Sequence, residues 1–297
     1  MIPVTHRFTA FGGARCEIHA LTSEQELSRS VGEVYAFETA FSRFLPDSEL
    51  SQFNRSQGHR VQVSAHLENI LRTALAAWDL TDGLVHAGTL RAVIAAGYDE
   101  SIERVRRRDA TSLAVAGISG PPNAERPRPL PDMLTVGHGW AELAAGGAID
   151  LGGIGKGWLA DRLAEDLGNA VVNLGGDLRA TGRGPSGEGW SVGLCDGSVV
   201  SVSNAGVATS GVAGRRWFGG HHLIDPRTGL PAVTEVADLT VVAANAVTAE
   251  ALAKAALLLG GPATQGTLAW VTERGAMRVV AGSPMSSPPS ARAGVVR

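Results

Sequence analysis

Apolar residues recur at helical spacing early in the chain. Leu27, Val31, Val34, Phe37 and Phe41 predict a helix over 22–45, and Leu67, Ile70, Leu71, Leu75 and Trp78 predict an amphipathic one over 64–80. Pro46 in "FLPDSELSQFNRS" breaks the first, and Asp47 or Ser48 opens a short helix behind it. Residues 8–20 read as a first strand, and "GLVHAGTLRAVIAAGYD" as a loop followed by another helix. From 106 to 131 the chain turns polar and proline-rich ("GPPNAERPRPLP"), the pattern of a surface insertion or linker. Beyond it, short apolar runs predominate: "AIDL", "AVVNL", "GWSVGLC", "VVSVSNAGVAT", "LTVVAANA" and "LAWVTER" predict strands, interrupted by helices at 158–167 and 248–259. Strands clustered around a few helices predict an α+β fold of mixed or antiparallel sheets with packed helices. The tail over 282–297, "GSPMSSPPSARAGVVR", has no apolar period and reads as mobile.

Composition narrows the function classes. The 297 residues are 44% hydrophobic with a net charge of −3, which gives no reason to expect a nucleic-acid partner or an acidic membrane surface. No run is apolar for the length of a membrane span. The start, "MIPVTHRFTAFGGARC", lacks the apolar region of a signal peptide or lipoprotein anchor, so a cytoplasmic location is expected. Cys16 and Cys195 stand far apart and outside any metal-ligand spacing, which reads as a reduced compartment, with one disulfide as the alternative. Of 26 basic residues all but Lys156 and Lys254 are arginine. Either chance left those two, or they stand where a planar guanidinium would not serve in place of a compact ammonium.

The chemistry concentrates in two stretches. "AIDLGGIGKGWLADRL", 148–163, reads as a short strand, a glycine turn and a helix start. It is not a Walker A loop, because Lys156 is followed by Gly157 and Trp158 rather than Ser or Thr, and G-x-G-x-G is not the dinucleotide fingerprint. A tight turn needing glycine dihedrals explains one or two of these glycines. Four glycines with an ammonium beside a helix start suit a pyrophosphate. The second stretch, "ATSGVAGRRWFGGHHLIDPRTGLP", 208–231, gathers Thr209, Ser210, Arg215, Arg216, His221, His222, Asp225, Arg227 and Thr228. A lone histidine is most often structural. Two beside a rigid Asp-Pro turn can supply a general base and cations to a transferring phosphoryl group.

With "FSRFLPDSELSQFN", "IDLGGIGKGWLADR", "VVNLGGDLRATG", "ATSG", "HHLIDPRTGLP" and "TAEALAKAALLLGG" in this order, the sequence resembles the FAD:protein FMN transferases, the ApbE-like family. The resemblance implies one catalytic domain over 1–281. That domain would bind FAD as substrate, cleave its pyrophosphate and pass FMN to a Thr or Ser of a target protein, releasing AMP. It places Asp150, Gly152, Gly153 and Lys156 at the pyrophosphate with Asp177 on the neighbouring turn of the FAD site, Thr209, Ser210, Gly211 and Thr228 on the dinucleotide, and His222 as catalytic base, with Asp225 holding its loop. It further implies Mg2+ bound by the Gly155 carbonyl, by Glu250 and by a third ligand at the position of Lys254. His86, Ala87 and Gly88 stand where the family has Asp-Pro-Thr, and Phe11, Gly12 and Gly13 where it has Met-Gly-Thr. Glu250 and Lys254, four apart on one helix, read either as a solvated ion pair or as an ammonium at the metal's place. The convergence of both lysines on the pyrophosphate segments favours the second. The alternatives are an FAD pyrophosphatase releasing FMN and AMP, or a non-catalytic FAD-binding protein. A nicotinamide oxidoreductase rests on the imperfect glycine pattern alone.

Overall fold

A computed structural model describes residues 3–108, 126–218, 220–262 and 265–282. Its frame is a seven-stranded antiparallel meander whose strands pair in chain order: β1 (Val4–Ala10), β2 (Ala14–Ala20), β3 (Ala170–Leu174), β4 (Asp177–Ala180), β5 (Ala205–Gly211), β6 (Asp238–Ala243) and β7 (Ala276–Ala281). One face carries three helices, α1 (Glu24–Phe41), α3 (Gly155–Leu167) and α4 (Ala246–Leu258); α2 (Ala65–Leu80) lies behind them. The period-two alternation of the strands sends Cys16, Ile18, Val172 and Leu174 toward α1 and α3, and Ala208, Leu239, Val241 and Ala243 toward α4. On the opposite face Leu178, Val207 and Val242 pack on the hairpin Trp190–Gly193/Val199–Val202.

The helices start where the sequence offers caps. Ser23 forms a capping box with Glu26, Ser48 caps the helix Glu49–Asn54, and Ser64 caps α2. α4 is capped twice, by Asn245 accepting from Thr248 N and by Asp161 of α3 accepting from Ala246 and Val247 N. It is apolar almost all round because it is covered on two sides. Leu252, Ala253, Ala256 and Leu257 meet the sheet, while Ala251, Ala255 and Leu258 meet the core built on α2. Among the described residues no helix is long and apolar enough to cross a membrane.

Local expectations fail where tertiary pairing decides. The strand expected at 8–20 is a hairpin, turned at Phe11, Gly12 and Gly13, all at positive φ. "VVSVSNAGVAT" divides in two at Asn204, also at positive φ. "AIDL" joins no sheet, since the Asn54 side chain takes both polar groups of Ile149 and Ala87 O takes Asp150 N. "LAWVTER" falls mostly in a helix, Gln265–Glu273, which buries Thr267 and Val271 four apart. The strands Trp140–Leu143 and β7 were not foreseen, being short or edge segments with weak alternation. The polar segment at 106–131 lies outside the described residues over 109–125, but its end reaches the core, where Leu130 is fully buried. The tail over 283–297 also lies outside them.

Candidate active site

The glycine turn is held from behind. Asp150 Oδ1 accepts from Gly152 N at 2.7 Å, and Oδ2 accepts from Arg43 Nε at 3.1 Å. Arg43 is itself fixed, donating to Tyr98 O at 2.7 Å with its guanidinium 4.1 Å from the Phe44 ring centre and 4.6 Å from that of Tyr98. His86 caps the neighbouring turn, its Nδ1 accepting from Gly88 N at 3.0 Å while Ala87 O receives Asp150 N at 2.8 Å.

None of Gly152, Gly153, Gly155 and Gly157 is at positive φ, so dihedral freedom is not why they are glycine. Space is the reason. A Cβ on Gly157 would lie 2.6 Å from Glu250 Oε2, one on Gly155 would lie 3.2 Å from Phe37, and one on Gly153 would lie 3.3 Å from Lys254 Cε. The loop and the first turn of α3 therefore press directly against α4, and at Gly155 against α1. Gly157→Ala is expected to push the Glu250 carboxylate off its partners and to destabilise the protein by about 1–3 kcal/mol, the usual cost of overpacking. A thermal melt beside wild type checks this, and an unchanged midpoint would contradict the close approach.

Four charged side chains meet at that contact. Lys156 donates to Asp177, the first residue of β4, and lies 3.6 Å from Glu250 Oε1. Lys254 donates to the same Oε1 at 2.8 Å, and Glu250 Oε2 accepts from Gly157 N at 3.0 Å. The Glu250 side chain is 0% exposed, Lys156 13% and Lys254 15%. Of the two readings of the Glu250–Lys254 pair, the solvated one is excluded. Burial alone would raise the Glu250 carboxyl, but Lys254 and Lys156 together hold it below its ordinary value. Burial pulls the Lys156 ammonium down to about 8, with Lys254 and Arg215 adding to the effect against Glu250. Two ammoniums and two carboxylates balance, so the guanidinium of Arg215 gives this corner a net positive charge suited to an anion.

His222 stands near the same cations. Its Nδ1 is shielded from solvent with no hydrogen-bond partner, and its main-chain N donates to Arg215 O at 3.2 Å. Burial, then Arg215 and Lys254, hold its imidazole well below the ordinary 6.5. His221 differs: Nε2 donates to Ala232 O at 2.8 Å and Nδ1 accepts from Leu223 N at 3.3 Å, so both ring nitrogens serve the fold.

Other expected residues are distributed less simply. Ser210 is buried on the sheet face that carries Asp177, whereas alternation turns the Thr209 side chain to the opposite face, where it meets Thr240 at 2.8 Å. Gly211 leaves room for Ala237 O, which a Cβ would approach to 2.9 Å. Asp225 is paired with Arg227 at 2.7 Å, and Arg227 donates to Leu258 O at the end of α4, which ties the histidine loop to that helix. Thr228 closes the same turn, its hydroxyl 3.3 Å from Asp225 O. Arg43 and Asp161 were missed as supporting residues. Arg43 lies in a motif noticed for other reasons, and nothing in the sequence marks Asp161 as the cap of a helix 85 residues away.

The donor set does not fit a magnesium ion, which requires several oxygen ligands. Both Glu250 oxygens are engaged by N–H donors, and Lys254 offers no lone pair. Among the described residues no three His, Cys, Asp or Glu side chains come together as a metal cluster.

A family model described as the ApbE family matches residues 13–280. The FAD:protein FMN transferase of Treponema pallidum is 39% identical over 142 residues, covering 39% of this chain and 39% of that protein. The FAD:protein FMN transferase of Haemophilus influenzae is 25% identical over 261 residues, covering 74% of this chain and 68% of that protein. The match thus spans well under half of the first relative's length and about two thirds of the second's. The crystal structure of the ApbE protein from Thermotoga maritima shares the fold, with a TM-score of 0.77 at 24% identity over 95% of this chain and 96% of that one.

Proposed function

The chain belongs to the ApbE family, and from that premise we propose that it is an FAD:protein FMN transferase. It binds FAD at the glycine turn and passes the FMN moiety to a Thr or Ser hydroxyl of a target protein, with residues 1–281 acting as one catalytic domain. The observation that supports this best is the buried junction of Lys156 with Asp177 and Glu250 beside Arg215 and His222, a cationic corner with one unpartnered imidazole nitrogen. The two unpaired cysteines are in keeping with a cytoplasmic setting.

In this reading Lys156 and the loop hold the pyrophosphate, where positioning and charge neutralisation supply most of the catalysis. The target hydroxyl oxygen attacks the FMN-side phosphorus and gives its proton to His222. The bond from that phosphorus to the bridging oxygen breaks, and AMP leaves with that oxygen. Asp225 keeps the histidine loop against α4 through Arg227, which makes it a positioning residue. Among the dinucleotide contacts, Ser210 rather than Thr209 shares the face of Asp177.

Incubation with FAD and a Thr-bearing acceptor peptide, resolved by mass spectrometry, tests the proposal. Flavin on the peptide with AMP released is the expected outcome. Free FMN and AMP despite the peptide would make the protein a pyrophosphatase, and intact FAD a binding protein. FAD is also expected to bind more tightly than FMN, and equal affinities would remove the pyrophosphate assignment.

A further inference from the structure

We propose that Lys254 replaces the divalent cation at this site, so that the protein handles a dinucleotide pyrophosphate with its own ammonium and without bound metal. The inference rests on the FAD reading above, and three independent observations carry it.

The first is where the lysines fall. The chain uses arginine for every cation except two, and both lysines end on the same carboxylate, Glu250 Oε1, at 2.8 and 3.6 Å. An ammonium is compact and offers three donors around a point; a guanidinium needs a planar slot. The space left is small. The Gly153 backbone lies against the Lys254 stem and the Gly157 backbone against Glu250, so neither glycine has room for a side chain without displacement.

The second is the state of Glu250. It is fully buried in a helix covered on two sides by apolar packing, and its other oxygen already accepts from Gly157 N. A carboxylate there needs a partner that travels with the fold. Lys254, one helical turn along α4, supplies it before any ligand arrives.

The third is the charge balance. Lys156 and Lys254 neutralise Asp177 and Glu250, and Arg215 lies close enough to depress both Lys156 and His222. A dication added here meets three cations and a Glu250 carboxylate whose two oxygens both already accept from N–H donors, whereas a pyrophosphate meets a surplus of positive charge. Lys254 therefore does what an added ion would do, cancelling the buried Glu250 charge permanently, and so leaves the positive surplus of the corner to the ligand.

Mn2+ serves as the probe, by paramagnetic resonance, on wild type and Lys254→Thr, each with and without FAD; flavin fluorescence gives FAD affinity in chelator and in magnesium. Wild type is expected to bind no Mn2+ and to hold FAD equally well in both buffers. Lys254→Thr, checked by thermal melt to be folded, is expected to bind Mn2+ and to gain at least about tenfold in FAD affinity from magnesium. Stoichiometric Mn2+ on wild type, or FAD binding lost in chelator and restored by magnesium, overturns the proposal. A folded Lys254→Thr that still excludes Mn2+ also overturns it, because Lys254 would then not be what keeps the metal out. If neither protein bound FAD, the reading of the site as an FAD site would fall, while the Mn2+ signals would still decide the role of Lys254.

Discussion

Lys156→Ala is expected to lose FAD and stability together. The ammonium joins Asp177 on β4 to Glu250 on α4, both nearly or wholly buried. Deleting it leaves Asp177 without its cation inside the protein. Removing one partner from a buried pair typically costs about 3–5 kcal/mol, because the remaining charge is uncompensated. Glu250 keeps Lys254, which places the cost toward the lower end of that range. Binding should weaken by a further ~1.5–3 kcal/mol, the worth of a hydrogen bond to a charged group, which is tenfold or more in FAD affinity. A denaturant titration gives the first quantity. A flavin titration at a temperature where circular dichroism shows the variant folded gives the second. Unchanged FAD affinity in a folded variant would remove Lys156 from the pyrophosphate.

His222→Ala is expected to keep FAD binding and lose transfer, by ~10²–10⁴-fold if the imidazole is the base. The fall should appear in kcat, since a proton acceptor acts on the reaction more than on ground-state binding. His221→Ala should instead cost stability, because both of its ring nitrogens are bonded within the loop. If His221 proves essential for transfer and His222 dispensable, the two roles are interchanged. The pH dependence follows from the same burial. His222 is held neutral below the ordinary 6.5, so transfer should show no loss as pH falls through that value. Stability behaves differently. Between the folded and unfolded pKa values the unfolded chain binds the extra proton, so stability is complete above about 6.5 and declines as pH falls below it. His86 and His221, also lowered by burial, add to the decline with the same sign. Thermal melts from neutral to mildly acid pH check it, and His222→Asn should flatten part of the slope.

Strong period and strong caps were legible in the sequence. Of Asp47 and Ser48, both offered as the opening of the short helix, Ser48 is the cap, and the apolar spacing of α1 and α2 was unambiguous. The glycine turn and the histidine loop were also legible as chemistry, since charged and glycine residues cluster there without an apolar period. What could not be read was which residue meets which across the sheet. Thr209 and Ser210 are adjacent in sequence and go to opposite faces, which depends on the register of β5 against β4 and β6. The purpose of Gly153 and Gly157 was hidden for a related reason, since it lies in the close approach of α4, about a hundred residues later in the chain. The burial of the α4 charges does have a signal in the sequence. A helix reading "AVTAEALAKAALL" has no polar face, so its Glu and Lys could not both be at the surface.

The scarcity of lysine has a consequence for the chemical handling of the molecule. Apart from the α-amino group, every primary amine of the chain lies within the junction of α3 and α4, where neither Lys156 nor Lys254 is more than 15% exposed. Acylating reagents, acetyl groups and lysine-specific proteases thus have almost no surface to act on. They reach lysine only at this one contact, so the rate of lysine modification reports on the accessibility of a single site.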